Sequence, residues 1–118
     1  MDALTAWIEG YLRAWRSNDP AEISVLFAED AAYFTEPFGE PWRGCDAIVE
    51  GWLSRRDEGG WHFDWTPLVL EGGLAVVTGT TRYTEPPQVY SNLWVIRLDA
   101  DGRCSEFTEW WMRQPAAE

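Results

Sequence analysis

Apolar positions in the N-terminal half of the chain recur with the spacing of helices. Between residues 4 and 15 they fall three and four apart and form one wide stripe: Leu4, Trp7, Ile8, Tyr11, Leu12 and Trp15. A second, short helix is predicted from Asp19, a good N-cap, with Pro20 in the first turn and Glu22 completing a capping box. A third helix is predicted after Gly44, with apolar residues on one side: Ile48, Val49, Trp52 and Leu53.

The alternation of β-strands is predicted for one short segment before the third helix and for most of the chain after it. We predict strands over residues 31–35, 61–70, 74–84, 89–98 and 103–113, with turns at Gly72-Gly73 and Asp99–Gly102. Helices followed by an antiparallel meander indicate an α+β fold. The sequence therefore predicts one cone-shaped domain over residues 1–118, in which a curved antiparallel sheet wraps around three N-terminal helices.

The last two predicted strands have apolar or aromatic residues on both faces. Trp94 alternates with Leu93 and Val95, and Trp111 alternates with Trp110. One face can pack on the helices, whereas the other would be an exposed apolar patch of the kind that marks interfaces. We therefore predict a homodimer that forms through the outer face of the sheet.

Tryptophan is unusually frequent, with nine in 118 residues. A core of this size can be filled with aliphatic residues, so this many wide rings indicate a cavity lining or a subunit interface. A cavity for a small apolar ligand is the first interpretation. Its candidate walls are Trp15, Trp42, Trp52, Trp65, Trp94 and Trp111.

The formal net charge of −11 excludes several classes of partner. Nucleic acids and anionic membrane surfaces require clustered Lys and Arg, so we predict no nucleic acid and no membrane partner. Cys45 and Cys104 are too few for a disulfide framework and are expected to be reduced thiols. No signal peptide, membrane span, phosphate-binding loop or metal-ligand spacing is evident, so a cytoplasmic protein without cofactor or metal is expected.

Several short segments together resemble the nuclear-transport-factor-2-like superfamily, in its SnoaL-like and steroid delta-isomerase-like branch. They run over nearly the whole chain: 11–15 (YLRAW) before Asn18-Asp19, 26–31 (LFAEDA), Glu36-Pro37, 41–44 (PWRG) before 46–48 (DAI), and 99–103 (DADGR). The resemblance implies the cone-shaped fold. It does not fix the chemistry, because this superfamily contains isomerases, cyclases, dehydratases and non-catalytic binders.

The resemblance also implies roles for individual residues. In the steroid isomerases an acidic residue before the proline is the general base, and Glu36 holds that position after a one-residue insertion. A tyrosine of the first helix stabilises the developing oxyanion, and Tyr11 lies close to its place. A second acid on the penultimate strand is matched here by Trp94, so this third group is missing.

Three further residues are candidates because of their own chemistry. Glu36 has aromatic neighbours such as Phe34, and poor solvation of its carboxylate would raise its pKa toward that of a general base. Phe34 is itself a candidate ligand-binding residue. His62 is the single histidine and would titrate near neutrality. Asn92 is a candidate polar anchor for a ligand on the same strand face as Trp94.

The sequence allows two orientations of Glu109. If Phe107, Glu109 and Trp111 face inward, Glu109 lines the cavity and needs a partner. The partner is an arginine, for which Arg82 and Arg97 are candidates, or a neutral acid that shares its proton. If the register is the opposite one, Glu106 and Trp110 face inward instead.

Three functions are therefore considered. The first is a cofactor-independent isomerase, cyclase or dehydratase acting on a hydrophobic carbonyl or polyketide-like compound, with Glu36 and Tyr11 as catalytic residues. The second is a non-catalytic module that binds a small apolar ligand. The third is a protein-interaction domain without a cavity.

Overall fold

The computed structural model describes residues 2–57 and 60–115 and shows three helices and six strands. The helices are α1 (Ala3–Ser17), α2 (Pro20–Ser24) and α3 (Cys45–Ser54). The strands are β1 (Phe27–Phe34), β2 (Trp42–Arg43), β3 (Trp61–Glu71), β4 (Leu74–Thr84), β5 (Pro87–Leu98) and β6 (Cys104–Arg113). The mixed α+β fold agrees with the prediction.

The helix boundaries follow from local hydrogen bonds. Asp2 caps α1 through a bond from Thr5 N to its Oδ1, and Asn18 ends α1 with a left-handed backbone, φ 52°. Asp19 caps α2 by accepting from Ala21 N at 2.9 Å. The predicted capping box is wrong in one respect, since the Asp19 N–H donates to Ser17 Oγ at 3.1 Å and not to Glu22.

The strands form one sheet in the order β2-β1-β6-β5-β4-β3. Strands β3 to β6 are the antiparallel meander that the alternation predicted. Strand β1 pairs in parallel with β6 and begins four residues earlier than predicted, because Phe27 lies opposite Cys104. Strand β2 is a two-residue addition that pairs with β1 and was not predicted.

The core lies between the helices and the inner face of the sheet. Its fully buried members come from every layer: Ile8, Phe27, Ile48, Val77, Trp94, Ile96 and Phe107. Aromatic rings of α1 contact rings of the sheet directly, as in the pair Tyr11 and Trp94 with centroids 4.7 Å apart. Burial of these large side chains is the main source of stability, and it places one face of α1 against the middle of β5 and β6.

The outer face of the sheet is partly apolar, as expected from the sequence. Trp110 is 50% exposed and Met112 71% exposed, and Leu93 lies opposite Trp110 on β5. The homodimer through this face stays a prediction. No helix in the described residues is long and apolar enough to cross a membrane.

Candidate functional site

A cavity of about 700 Å³ lies between α1, α3 and the inner face of β4 to β6. This volume is in the usual range for a small-molecule site. Nine of its described lining residues are Trp or Tyr: Tyr11, Trp15, Tyr33, Trp42, Trp52, Tyr83, Tyr90, Trp94 and Trp111. The structure therefore brings five of the nine tryptophans to one concave surface.

Most of the site residues predicted from the sequence meet at this cavity. The lining includes Tyr11, Trp15, Trp42, Trp52, Asn92, Trp94, Glu109 and Trp111. It does not include Glu36, Phe34, His62 or Trp65.

Three of the predicted residues lie outside the cavity because of their positions in a loop or on the other face of a strand. Glu36 is in the loop between β1 and β2, and its Cγ would lie 3.1 Å from a Cβ added at Gly39, so its side chain folds along its own loop. His62 is exposed on the outer face of β3, opposite Arg82. Phe34 alternates with the cavity-lining Tyr33 along β1 and is half-buried.

Trp65 also lies outside the cavity, although it is on the inner face of β3. It is partly buried and packs against the hydrophobic core. Its neighbour Phe63 stacks on Trp94 with ring centroids 4.7 Å apart. This part of β3 therefore packs against Trp94, which lines the cavity.

Glu109 is oriented inward by the register of β5 and β6, in which it lies opposite Trp94. Its Oε2 accepts hydrogen bonds from Asn92 Nδ2 at 2.7 Å and from Trp94 Nε1 at 3.1 Å. No bond to Oε1 occurs in the described part of the chain, so this oxygen is available to a ligand. The predicted partners Arg82 and Arg97 do not bond to Glu109: Arg97 pairs with Glu106 on the outer face, and Arg82 is exposed opposite His62.

The environment of Glu109 changes its acidity. Burial raises the pKa of its carboxyl group, while the hydrogen bonds from Trp94 and Asn92 act in the opposite direction and do not cancel the effect. Thr81 Oγ1 donates to Asn92 Oδ1 at 2.8 Å, which leaves the Asn92 amide N–H for Glu109. A carboxylate with a raised pKa is the more effective proton acceptor.

Two tyrosine hydroxyls form the second polar feature of the cavity. The Oη atoms of Tyr11 and Tyr33 lie 2.7 Å apart and both side chains are buried. One hydroxyl donates to the other, so the accepting hydroxyl keeps its own proton for a further acceptor. Burial raises the pKa of both phenols, and the charge of Glu109 raises it further, so both stay protonated at neutral pH.

Asp57 is the third polar feature and was not predicted. Its Oδ2 accepts from Trp15 Nε1 at 2.8 Å and from Tyr83 Oη at 3.0 Å. Asn18 Nδ2 donates to the Asp57 backbone oxygen at 3.0 Å. These bonds fix the segment after α3 to the rim of the cavity.

Sequence reasoning also missed Tyr33, Thr81 and Tyr83. Strand alternation could have found the last two, because they continue the inner face that begins at the buried Ala75 and Val77. For Asp57, which lies between α3 and β3, no periodic signal exists. Among the described residues no group of three or more His, Cys, Asp or Glu could hold a metal ion.

The fold and the cavity define a class of protein, the cone-shaped domains of nuclear-transport-factor-2-like type. The family model described as "SnoaL-like domain" matches residues 8–107. The chain therefore belongs to the SnoaL-like domain family. A comparison with curated proteins gave no match.

Solved structures show the same fold at low sequence identity. A candidate ketosteroid isomerase from Kribbella flavida is 19% identical with a TM-score of 0.72, over 96% of this chain and 80% of that one. A protein of unknown function with a cystatin-like fold from Methylobium petroleophilum is 21% identical with a TM-score of 0.74, over 98% and 79%. An NTF2-like protein of unknown function from Mesorhizobium loti is 19% identical with a TM-score of 0.70, over 93% and 91%.

Because burial raises the pKa of Glu109, we predict a pH-dependent gain in stability for Glu109→Gln. The folded state holds this proton more tightly than the unfolded state. Its stabilising contribution is complete below the ordinary pKa of 4.5 and is lost as pH rises through the folded value. Glutamine cannot ionise, so the free energy of unfolding of the variant minus that of the wild type should increase with pH across this window.

Urea unfolding at several pH values measures this difference. Glu106→Gln, on the exposed outer face, is the matched control because it removes the same charge. An equal rise with pH in Glu106→Gln would assign the effect to relief of the overall negative charge, and the interpretation of Glu109 would then fail.

Proposed function

We propose that this protein is a cofactor-independent proton-transfer enzyme of isomerase type, acting on a small hydrophobic carbonyl compound. The observation that carries the proposal is the presence, in one aromatic cavity, of a carboxylate with a free oxygen and a buried pair of hydroxyls. Proton abstraction beside a carbonyl requires these two groups, a base for the carbon-bound proton and a donor for the oxygen that becomes negative.

In this mechanism Glu109 Oε1 removes a proton from the carbon next to the carbonyl group. The electron pair of that C–H bond forms the C=C bond of an enolate, and the Tyr11–Tyr33 pair donates a hydrogen bond to the enolate oxygen. When the substrate carries a β,γ double bond, the enolate is a conjugated dienolate, and return of the proton from Glu109 to its γ-carbon completes an isomerisation to the α,β-unsaturated compound with no net change in atoms or electrons. Hydrogen bonds from Asn92 and Trp94 hold Glu109 in position.

The general base is therefore assigned to a different residue from the one that the family resemblance implied. Glu36 does not line the cavity, whereas Glu109 does. The name of the Kribbella flavida relative is consistent with proton transfer beside a carbonyl, although its 19% identity supports only a shared fold.

The function is tested by deuterium exchange. The protein is incubated in D₂O with a panel of small cyclic ketones that includes β-tetralone, and proton NMR follows the α-hydrogen signal. We expect loss of this signal to be faster than in protein-free buffer. If no ketone exchanges faster while β-naphthol still quenches tryptophan fluorescence, the protein is a binding module and the proposed activity is wrong. If neither response occurs, both functions are wrong.

A further inference from the structure

Within the part of the chain that the structure describes, two acidic groups of the cavity, Asp57 and Glu109, have only neutral hydrogen-bond donors as partners. Asp57 and Glu109 each use one carboxylate oxygen to accept two hydrogen bonds from neutral donors. In residues 2–57 and 60–115 neither carboxylate forms an ion pair with an arginine, and Asp57 Oδ1 accepts no hydrogen bond. By contrast, Glu106 on the outer face pairs with Arg97.

The aromatic residues next to Asp57 form a continuous row at the rim of the cavity. The Trp15 indole and the Tyr83 phenol both bond to Asp57. Tyr83 contacts Tyr90 with centroids 5.8 Å apart, and Tyr90 contacts Trp111 at 6.0 Å. The Trp15 and Tyr83 side chains point their N–H and O–H edges at Asp57. A negative carboxylate with a free oxygen attracts an organic ammonium group by charge, and neighbouring rings add cation–π attraction only where the cation meets a ring face.

The other charged residues at the cavity only partly weaken its preference for a cationic ligand. Arg55, Arg56 and Glu85 also line the cavity, but all three side chains are exposed and are screened by water and salt. Asp57 is only partly exposed, and its charge raises the pKa of both Glu109 and Tyr83, whereas the charge of Arg55 lowers the pKa of Glu109 by a smaller amount. The overall charge of −11 adds a long-range attraction for cations.

We propose that the ligand of this cavity carries an ammonium group, which lies at Asp57 against Trp15 and Tyr83, while its other end reaches the Tyr11–Tyr33 hydroxyl pair. The placement of that other end rests on the proposed function, and the ammonium site itself does not. Asp57 is thus a specificity-determining residue. It lies outside the set of groups that move the proton.

Two probes of equal shape test the charge preference. Meta-trimethylammoniophenol and meta-tert-butylphenol differ only in the positive charge, and both carry a hydroxyl for the tyrosine pair. We expect the cation to bind the wild type about tenfold more tightly at low salt, with a smaller difference at high salt. Tryptophan fluorescence and calorimetry measure both dissociation constants.

The variant Asp57→Asn identifies the residue responsible. Asparagine Oδ1 can still accept from Trp15 and Tyr83, so the shape of the rim is kept while its charge is removed. We expect the tenfold preference to disappear with little change in the affinity for the neutral phenol. Asp64→Asn is the matched control, because Asp64 is exposed and alternates with the inward-facing Phe63 and Trp65 on β3. This control should keep the preference.

Other outcomes overturn the proposal in distinguishable ways. Equal or tighter binding of the neutral phenol, or no binding of either probe, excludes an ammonium site. Tighter binding of meta-hydroxybenzoate would assign recognition to Arg55 and Arg56 instead. Loss of the preference in Glu109→Gln but not in Asp57→Asn would place the cation at Glu109. Failure of deuterium exchange with the cation preference retained overturns the proposed function alone.

Discussion

Replacing Glu109 with glutamine is expected to lower the rate of ketone deuterium exchange by about 10²–10⁴-fold, the usual contribution of a positioned general base. Glutamine has nearly the same shape, and its Oε1 can accept the bonds now made by Asn92 and Trp94. The amide cannot take a proton from carbon at neutral pH. The loss should therefore appear in kcat, with phenol binding nearly unchanged.

The matched variant is Glu106→Gln, which removes an acid from the other face of the same strand. It should exchange ketone protons at the wild-type rate. If Glu109→Gln retained wild-type exchange, Glu109 would not be the base. If Glu36→Gln lost activity instead, the base would be the residue that the family resemblance implied, and the loop carrying Glu36 would have to reorganise over the cavity.

The fold could be predicted in most of its elements because periodicity encodes them directly. The stripe from Leu4 to Trp15 gave α1, and alternation gave the meander, with β4 correct at both ends. The parallel pairing of β1 with β6 could not be predicted from the periodicity of apolar residues. It joins Phe27 to Cys104 across most of the chain, and local spacing carries no information on such a contact.

The aromatic walls of the cavity could be predicted from the sequence, whereas most contacts between its polar groups could not. Trp94, Asn92 and Glu109 were all identified, but only the register of β5 against β6 decided that Glu109 faces inward. Tyr33 can be recognised as a site residue only from its hydrogen bond to Tyr11, and this bond joins two elements that are distant in sequence. Asp57 lies in a connection without periodicity, so nothing local distinguishes it from a solvated loop residue.

The tryptophan at position 94 explains how the site departs from the pattern of the steroid isomerases. The resemblance implied an acid at this position on the penultimate strand. Trp94 instead donates its indole N–H to Glu109, which lies opposite it on β6. The acid is thus on the neighbouring strand, and Trp94 is a neutral positioning residue that cannot itself titrate.

Phe107→Ala is expected to lower the free energy of unfolding by about 3–5 kcal/mol, because a fully buried phenylalanine leaves a large cavity when truncated. Phe107 is 0% exposed. It stacks on Tyr33 at 4.7 Å and on Tyr11 at 5.5 Å, and contacts Trp94 edge-on at 5.3 Å. One side chain therefore supports both hydroxyls of the candidate site and the indole that holds Glu109.

Phe38→Ala is the control, because Phe38 is 85% exposed and its truncation should change stability by no more than about 0.5 kcal/mol. Urea unfolding followed by tryptophan fluorescence measures both variants. Equal small losses would mean that Phe107 is not a central core residue. Phe107→Leu should recover part of the lost stability but not the stacking on Tyr11 and Tyr33. Ketone exchange should be slower than in the wild type in both Phe107 variants, because neither keeps the ring that stacks on Tyr11 and Tyr33. A wild-type exchange rate in Phe107→Leu would show that the hydroxyl pair does not need this stacking to act.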